Sequence, residues 1–157
     1  MKDLVTERLI LRPLTEVHAR AIMRVGNRSP RYPSAADIEA AGDFLALCAR
    51  TGNPYPFGSY EVRLRSTGEP IGYAGFNRPL DADGVSTVGY GLVETARGHG
   101  YATEAVKALL AMARSRGASQ IRGSAHVDNV ASQKVMLAAG MGFLDSDDHE
   151  RFYAMTW

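Results

Sequence analysis

The stretch Arg97-Gly98-His99-Gly100-Tyr101-Ala102 lies between an apolar run that ends at Leu92-Val93 and an amphipathic segment that begins at Thr103. A strand that turns through glycines into a helix leaves backbone N–H groups unpaired at the positive end of the helix dipole. Gly98 and Gly100 have no Cβ, so a bulky anion can approach the main chain there, and Arg97 adds a permanent positive charge. The stretch therefore predicts a phosphate-binding turn between a strand and a helix.

Hydrophobic periodicity and capping residues on both sides of this turn predict the other elements. They are, in order, a strand at 8–12, helices at 15–26 and 34–48, strands at 60–64, 71–76 and 85–93, a helix at 102–116, a strand at 121–127, a helix at 129–139, and a closing hairpin of 143–144 and 152–157. In the strand at 60–64, apolar and charged residues alternate, which predicts one buried and one solvated face. The order β-α-α-β-β-β-α-β-α-β-β predicts an α/β fold.

Composition limits the classes of protein to which the chain can belong. With 157 residues, 45% of them apolar, a single domain spanning 1–157 is expected. Lys+Arg 18 against Asp+Glu 17 gives a net charge of +1 without charged blocks, so neither nucleic acid nor a membrane surface is indicated as a partner. The single Cys48 cannot form an internal disulfide, and the charged N-terminus lacks the apolar region of a signal peptide. A cytoplasmic location is expected, and the scattered histidines give no metal-ligand spacing.

The phosphate turn matches the Arg/Gln-x-x-Gly-x-Gly/Ala signature of the GNAT acetyltransferase superfamily, as Arg97-Gly98-His99-Gly100-Tyr101-Ala102. Other segments resemble the ribosomal-protein N-acetyltransferase branch of that superfamily. They are 6–14, Gly89-Tyr90, 129–132 and 140–143. The resemblance covers nearly the whole chain and implies a mixed, splayed, mostly antiparallel sheet flanked by helices. Residues 27–57 match least well, and they fall where such proteins usually build the acceptor pocket.

The resemblance implies acetyl-CoA as the co-substrate, without a metal. The cofactor-binding residues that it implies are Tyr90, Gly91, Leu92, Arg97, Gly98, His99, Gly100, Tyr101, Ala102 and Asn129. The glycine turn would hold the pyrophosphate, and the pantetheine amides would pair with a strand edge at Tyr90-Gly91-Leu92, where a local bulge is expected to splay the sheet. A main-chain N–H near Leu92 would stabilise the oxyanion when an amine attacks the thioester.

The catalytic side chains are less clearly indicated. Many relatives carry a tyrosine where this chain has Met136, which cannot donate a proton to the leaving thiolate. Ser132, on the same predicted helix face, is the substitute candidate, although a serine in a first helical turn is also explained by capping alone. The segment 86–88 stands where the branch often has a glutamate base, so Glu61, His126 or a chain of waters is left as the candidate base.

These observations predict an N-acetyltransferase that moves an acetyl group from acetyl-CoA to a primary amine in a ternary complex. The acceptor is either a protein or peptide N-terminal α-amine or a small amine, and the absence of a strong base slightly favours α-amines, whose pKa of about 7.8 leaves them partly neutral near pH 7. A non-catalytic acyl-CoA-binding or regulatory domain is the main alternative, and a domain that binds another phosphorylated ligand is a third. A monomer and a homodimer are equally compatible with the sequence.

Overall fold

A computed structural model describes all residues from 1 to 157. Its elements are β1 (Leu4–Val5), β2 (Leu9–Pro13), α1 (Glu16–Val25), α2 (Ala35–Thr51), β3 (Ser59–Leu64), β4 (Pro70–Phe76), β5 (Val85–Leu92), α3 (Tyr101–Ser115), β6 (Gln120–His126), α4 (Val130–Ala138), β7 (Gly142–Ser146) and β8 (Glu150–Thr156). The predicted α/β order is confirmed, and two short elements that the sequence did not predict are added. They are β1 and a 3₁₀ turn, Glu94–Ala96, between β5 and the glycine turn.

The strands form one 8-stranded sheet in the order β1-β2-β3-β4-β5-β6-β8-β7. All neighbouring pairs are antiparallel except β5 and β6, which are parallel, so the sheet is mixed and mostly antiparallel as predicted. The parallel pairing ends at Thr87, opposite Arg122. Beyond that point β5 pairs only with β4, which leaves one edge of β5 open from Val88 to Leu92.

The prediction of a bulge at residues 90–92 is wrong. The β4–β5 register runs from Gly72, opposite Leu92, to Phe76 without a shift. The sheet splays instead because the pairing of β5 with β6 ends at Thr87 and Arg122. A Cβ on Gly123 of β6 would lie only 2.9 Å from the Met136 sulfur and 3.4 Å from a Val88 methyl group, so the backbone there approaches a tightly packed core.

The two faces of the sheet are covered by different helices. Val88 and Met136 meet on the face that carries α3 and α4, where the larger hydrophobic core lies. On the opposite face, a smaller core joins α1 and α2 through residues such as Ile22 and Phe44. None of the four helices has the length and apolar content that a membrane crossing requires.

The strand β3 is buried on both faces, which corrects the predicted half-buried strand. Glu61, on its polar face, is only 2% exposed, while Tyr60 and Val62 face the other way and are also buried. Tertiary packing is the reason. The alternation of charged residues predicted that this face is solvated, but α1 and the segment before α2 cover it. Burial of a carboxylate requires partners, and Glu61 has them.

Candidate functional site

The phosphate loop, residues 97–102, has the backbone that its glycines predict. Gly98 and Gly100 adopt φ values of 79° and 81°, in the left-handed region that favours glycine. The amide N–H groups from Gly98 to Thr103 have no hydrogen-bond partner within the protein. The N-terminus of α3 therefore presents a run of unpaired donors, together with the positive end of the helix dipole, to an incoming anion.

The side chains of Arg97 and His99 are exposed, and that of Tyr101 is half-buried. Arg97 donates from Nε to the carbonyl of Leu92 at 3.1 Å, so its guanidinium is folded back towards the end of β5. The rings of His99 and Tyr101 lie 5.4 Å apart between centroids. Ala102 follows in the first turn of α3. The predicted loop residues are thus contiguous in space, and their contact with a cofactor stays a prediction.

The open edge of β5 leads into this loop. The Val93 N–H donates to the Ile71 carbonyl on β4 at 2.9 Å, which fixes the alternation of the antiparallel pair. Alternate residues of β5 therefore direct their main-chain groups away from β4, and in the splayed part these are Val88, Tyr90 and Leu92. An extended ligand with amide groups could pair with this edge as an added strand would. Of the predicted edge residues, Tyr90 and Leu92 face the open edge, where the Leu92 carbonyl already accepts from Arg97, whereas Gly91 is bonded into the sheet.

A hydroxyl pair spans the splayed gap between β5 and α4. The Tyr90 phenol lies 2.7 Å from Ser132 Oγ and donates to the Ser132 carbonyl at 3.1 Å. Burial raises the pKa of Tyr90, and the hydrogen bond with Ser132 opposes that rise. Asn129 caps α4 by accepting the Ser132 N–H at 3.1 Å, so it holds the serine at the gap. The side chain of Met136 is fully buried, and the role of Ser132 as a proton donor stays a prediction.

A groove lies on the other face of the sheet, between α2 and the strands β4 and β5. Its volume is about 410 Å³, and Gly89 of the open strand lies in its wall. Its polar lining consists of Glu39, Asp43, Arg50, Ser59, Tyr73 and Asn77. Burial, and after it the carboxylates of Asp37, Glu39 and Asp43, raise the pKa of the Tyr73 phenol. The groove and the Tyr90–Ser132 pair therefore approach the same strand from opposite faces.

Glu61 lies away from the open edge. It is opposite Tyr73 on β4, and Tyr73 is opposite Gly91 on β5, so two strand spacings of roughly 4.8 Å, about 10 Å in all, separate Glu61 from Gly91. Its carboxylate accepts hydrogen bonds from the Tyr32 phenol at 2.7 Å and from Arg63 Nε at 2.5 Å, and His18 Nε2 lies 3.1 Å from it. These contacts anchor the buried Glu61 carboxylate, and its role as a base stays a prediction.

We expect Tyr32→Phe to destabilise the protein by about 1–3 kcal/mol, because it removes a hydrogen bond to a buried carboxylate. For a chain of this size, the melting temperature should fall by roughly 3–10 °C. Tyr55→Phe is the matched control, because the Tyr55 hydroxyl meets only the exposed backbone N–H of Lys2. Thermal unfolding of the two variants checks the prediction, and equal melting temperatures would contradict the anchoring role of Glu61.

His126 ends β6 on the side of the splay, and its side chain is half exposed. Its Nδ1 accepts the Asp128 N–H at 3.1 Å and lies 3.5 Å from the Asp128 carboxylate. Ser124 and His126 alternate with the buried Gly123 and Ala125, so the histidine faces away from the core that holds α4. The structure does not bring His126 into contact with Ser132 or Glu61, and its role as a base stays a prediction.

The acetyltransferase (GNAT) domain family matches residues 8–142, which is most of the chain. The chain belongs to the GNAT acetyltransferase family. This finding also confirms the resemblance on which the sequence interpretation rests. The splayed β5–β6 pair and the glycine loop at α3 are the parts of this GNAT fold that carry the candidate site.

Known proteins of similar sequence and structure agree with this assignment. An uncharacterized N-acetyltransferase, YjdG of Bacillus subtilis (strain 168), is 27% identical over 123 residues, which cover 77% of this chain and 73% of that protein. The crystal structure of an acetyltransferase from Agrobacterium tumefaciens strain C58 is 26% identical, with a TM-score of 0.73, and the match covers 100% of this chain and 95% of that one.

The ribosomal-protein branch is represented among the structural neighbours. RimL, a ribosomal L7/L12 alpha-N-protein acetyltransferase solved in complex with coenzyme A, has a TM-score of 0.70 at 18% identity, with 99% of this chain and 98% of that chain covered. At that identity the likeness concerns the fold.

Proposed function

We propose that this protein transfers the acetyl group of acetyl-CoA directly to a primary amine in a ternary complex. The observation that carries the proposal is the continuity of two sets of unpaired main-chain groups. The open edge of β5 from Val88 to Leu92 runs into the amides from Gly98 to Thr103. The open edge of β5 can pair with the amides of a pantetheine arm, and the loop amides can bind a pyrophosphate. Acetyl-CoA contains both of these groups.

In this arrangement the thioester lies in the gap between β5 and β6. The N–H groups of Tyr90 and Leu92 face the open edge, and one of them is the donor proposed for the thioester oxygen, because a main-chain donor there would stabilise the negative charge that develops during attack. The neutral amine attacks the carbonyl carbon, the bond between that carbon and sulfur breaks, and the sulfur leaves with the electron pair. The nitrogen then gives up its extra proton to solvent water, which leaves the neutral amide.

The leaving thiolate, with a reference pKa of about 8.5, needs a proton. The Tyr90–Ser132 pair supplies two hydroxyls on the α4 side of the gap, 2.7 Å apart. Because burial raises the pKa of Tyr90, its phenol is protonated at neutral pH and can donate directly or through Ser132. We assign the proton donor to this pair rather than to Ser132 alone.

The groove beside α2 is the proposed acceptor site, because it reaches the open strand from the face opposite the hydroxyl pair. Glu39 and Asp43 line it without an ion-pair partner, whereas Arg50 is its single cationic residue. This balance favours acceptors that carry a positive charge besides the reacting amine, either small amines or peptides with a basic residue near the N-terminus.

Acceptor-dependent thiol release tests the proposal. The protein is incubated with acetyl-CoA and a panel of N-terminal peptides, polyamines and aminoglycosides, and released CoA is followed with a thiol reagent. We expect turnover with at least one class of amine and a mass increase of one acetyl group on that acceptor. Tight CoA binding without acceptor-dependent turnover would instead support the non-catalytic acyl-CoA-binding alternative, and absence of CoA binding would contradict both.

Removing the negative charges of the groove should weaken binding of cationic acceptors. We expect Glu39→Gln with Asp43→Asn to raise KM for a dicationic acceptor about fivefold, with a smaller effect on kcat, because two exposed charges each contribute up to about 1 kcal/mol. The effect should shrink at high salt. Glu69→Gln with Asp83→Asn removes the same charge from exposed positions outside the groove and serves as the control. Equal KM values for both double variants would contradict the acceptor site.

A further inference from the structure

The phosphate loop is tied to the turn between β1 and β2 by a single side chain. Arg8 donates from Nη1 to the carbonyl of His99 at 2.8 Å, and its guanidinium carbon lies 4.6 Å from the centre of the Tyr101 ring. A Cβ added to Gly100 would lie 3.4 Å from the same guanidinium. One arginine, far from the loop in sequence, thus contacts three consecutive loop residues.

Glu104 of α3 forms an ion pair with Arg8. Glu104 accepts from Arg8 Nε at 2.7 Å, from the Arg8 backbone N–H at 2.8 Å and from Thr6 Oγ1 at 2.5 Å. Burial tends to raise the pKa of Glu104, but the hydrogen bonds from Thr6 and Arg8 outweigh it and hold the pKa below the usual value of 4.5. A carboxylate with a depressed pKa in the folded state loses its stabilising contacts only as the pH falls through that pKa. The contact between Glu104 and Arg8 therefore persists throughout the neutral range.

We propose that Arg8 is a positioning residue for the phosphate loop, which fixes the His99 carbonyl and the Tyr101 ring and so orders the neighbouring amides for a pyrophosphate. The inference rests on the proposed use of acetyl-CoA. A loop with two glycines has much conformational freedom to lose on binding an anion, and no backbone hydrogen bond restrains its amides. A loop that is ordered beforehand binds more tightly because that entropy has already been lost.

Simple attraction between a cation and the phosphates is the competing explanation, and the chain offers a control for it. Arg65 borders the same surface concavity as Arg8 and Tyr101, but its Nη1 bonds to the Thr6 carbonyl at 3.1 Å and it makes no hydrogen bond to the phosphate loop. Arg8→Lys keeps the charge of Arg8 but lacks the planar fork that bonds to Glu104 through Nε and to the His99 carbonyl through Nη1 and that lies beside the Tyr101 ring. Positioning predicts that Arg8→Lys behaves like Arg8→Ala and that Arg65→Ala behaves like the wild type.

The experiment compares two acetyl donors, acetyl-CoA and S-acetyl-pantetheine, which has the same thioester and arm but no phosphates. For Arg8→Ala and Arg8→Lys we expect KM for acetyl-CoA to rise roughly tenfold, the size expected for one charge-assisted hydrogen bond, with kcat nearly unchanged. With S-acetyl-pantetheine, kcat/KM should equal the wild-type value within about twofold, because that donor does not use the loop. Calorimetry with CoA should show the same tenfold loss of affinity.

The outcomes separate this inference from the proposed function. Loss of activity with both donors would assign Arg8 to general stability, and unchanged KM for acetyl-CoA would remove it from the site; either result overturns the inference. An equal loss in Arg65→Ala, with Arg8→Lys retaining wild-type affinity, would overturn positioning in favour of bulk charge. If the wild type neither binds CoA nor uses either donor, the proposed function itself fails, whatever the behaviour of the variants.

Discussion

Replacing Gly98 and Gly100 together by alanine is expected to raise the dissociation constant for CoA about 30-fold or more. Both glycines have φ near +80°, where an L residue costs roughly 1–2 kcal/mol, so the double variant carries about 2–4 kcal/mol of strain if the loop keeps its shape. The loop is exposed and its amides have no partners, so it should relax when free. CoA binding must then restore the strained shape, and every 1.4 kcal/mol spent in that way lowers affinity tenfold.

A matched pair of glycines separates loop shape from general strain. Gly52 and Gly117 also have positive φ, 76° and 91°, and a Cβ at either position would meet no atom within 4 Å. Replacing them together by alanine should lower the free energy of unfolding but leave CoA affinity within about twofold of the wild type. Isothermal titration with CoA measures both double variants, and similar affinities for the two would show that the glycine loop does not hold the pyrophosphate.

The second large effect is expected at the hydroxyl pair. Ser132→Ala and Tyr90→Phe should each lower kcat about tenfold, and the double variant about 100-fold, because a positioned proton donor typically contributes two or more orders of magnitude. CoA affinity should change less than about twofold, because main-chain groups rather than these two hydroxyls bind CoA. Steady-state kinetics and CoA titration measured on the same samples check this separation of kcat from binding.

Ser124→Ala is the control for this pair, because Ser124 is exposed on the face of β6 that points away from α4. Its kcat should equal that of the wild type. A wild-type kcat in the Tyr90→Phe, Ser132→Ala double variant would show that water protonates the thiolate. Ser132 would then have only a structural role, in the capping turn of α4. A loss confined to Ser132→Ala would assign the proton to the serine without the tyrosine.

The sequence predicted the elements well because their signals are local. The helices predicted to start at 34 and 129 do begin there, at the capping residues Ser34 and Asn129, and Gly98 and Gly100 have positive φ. Each of these signals acts within a few residues. The predicted order of strands and helices is confirmed for the same reason. Alternation in β5 also places Val88 and Tyr90 on one face, so it indicates the direction of the Tyr90 phenol without naming its partner.

The remaining features depend on contacts between distant segments. Glu61 lies in a strand whose polar face α1 covers, and no local pattern distinguishes it from an exposed glutamate. Tyr90 meets Ser132 across a gap that exists only because β6 leaves β5 after Thr87. The contact of Arg8 with the phosphate loop likewise joins residues that are close only in the folded chain. In each case tertiary packing decides the role of the residue.

A crystal structure of the protein with CoA tests the central claim most directly. We expect the pyrophosphate on the amides from Gly98 to Thr103, the pantetheine arm along the open edge of β5 from Val88 to Leu92, and the sulfur beside the Tyr90–Ser132 pair. CoA bound outside the gap between β5 and β6, or bound there without main-chain contacts to either segment, would contradict the account.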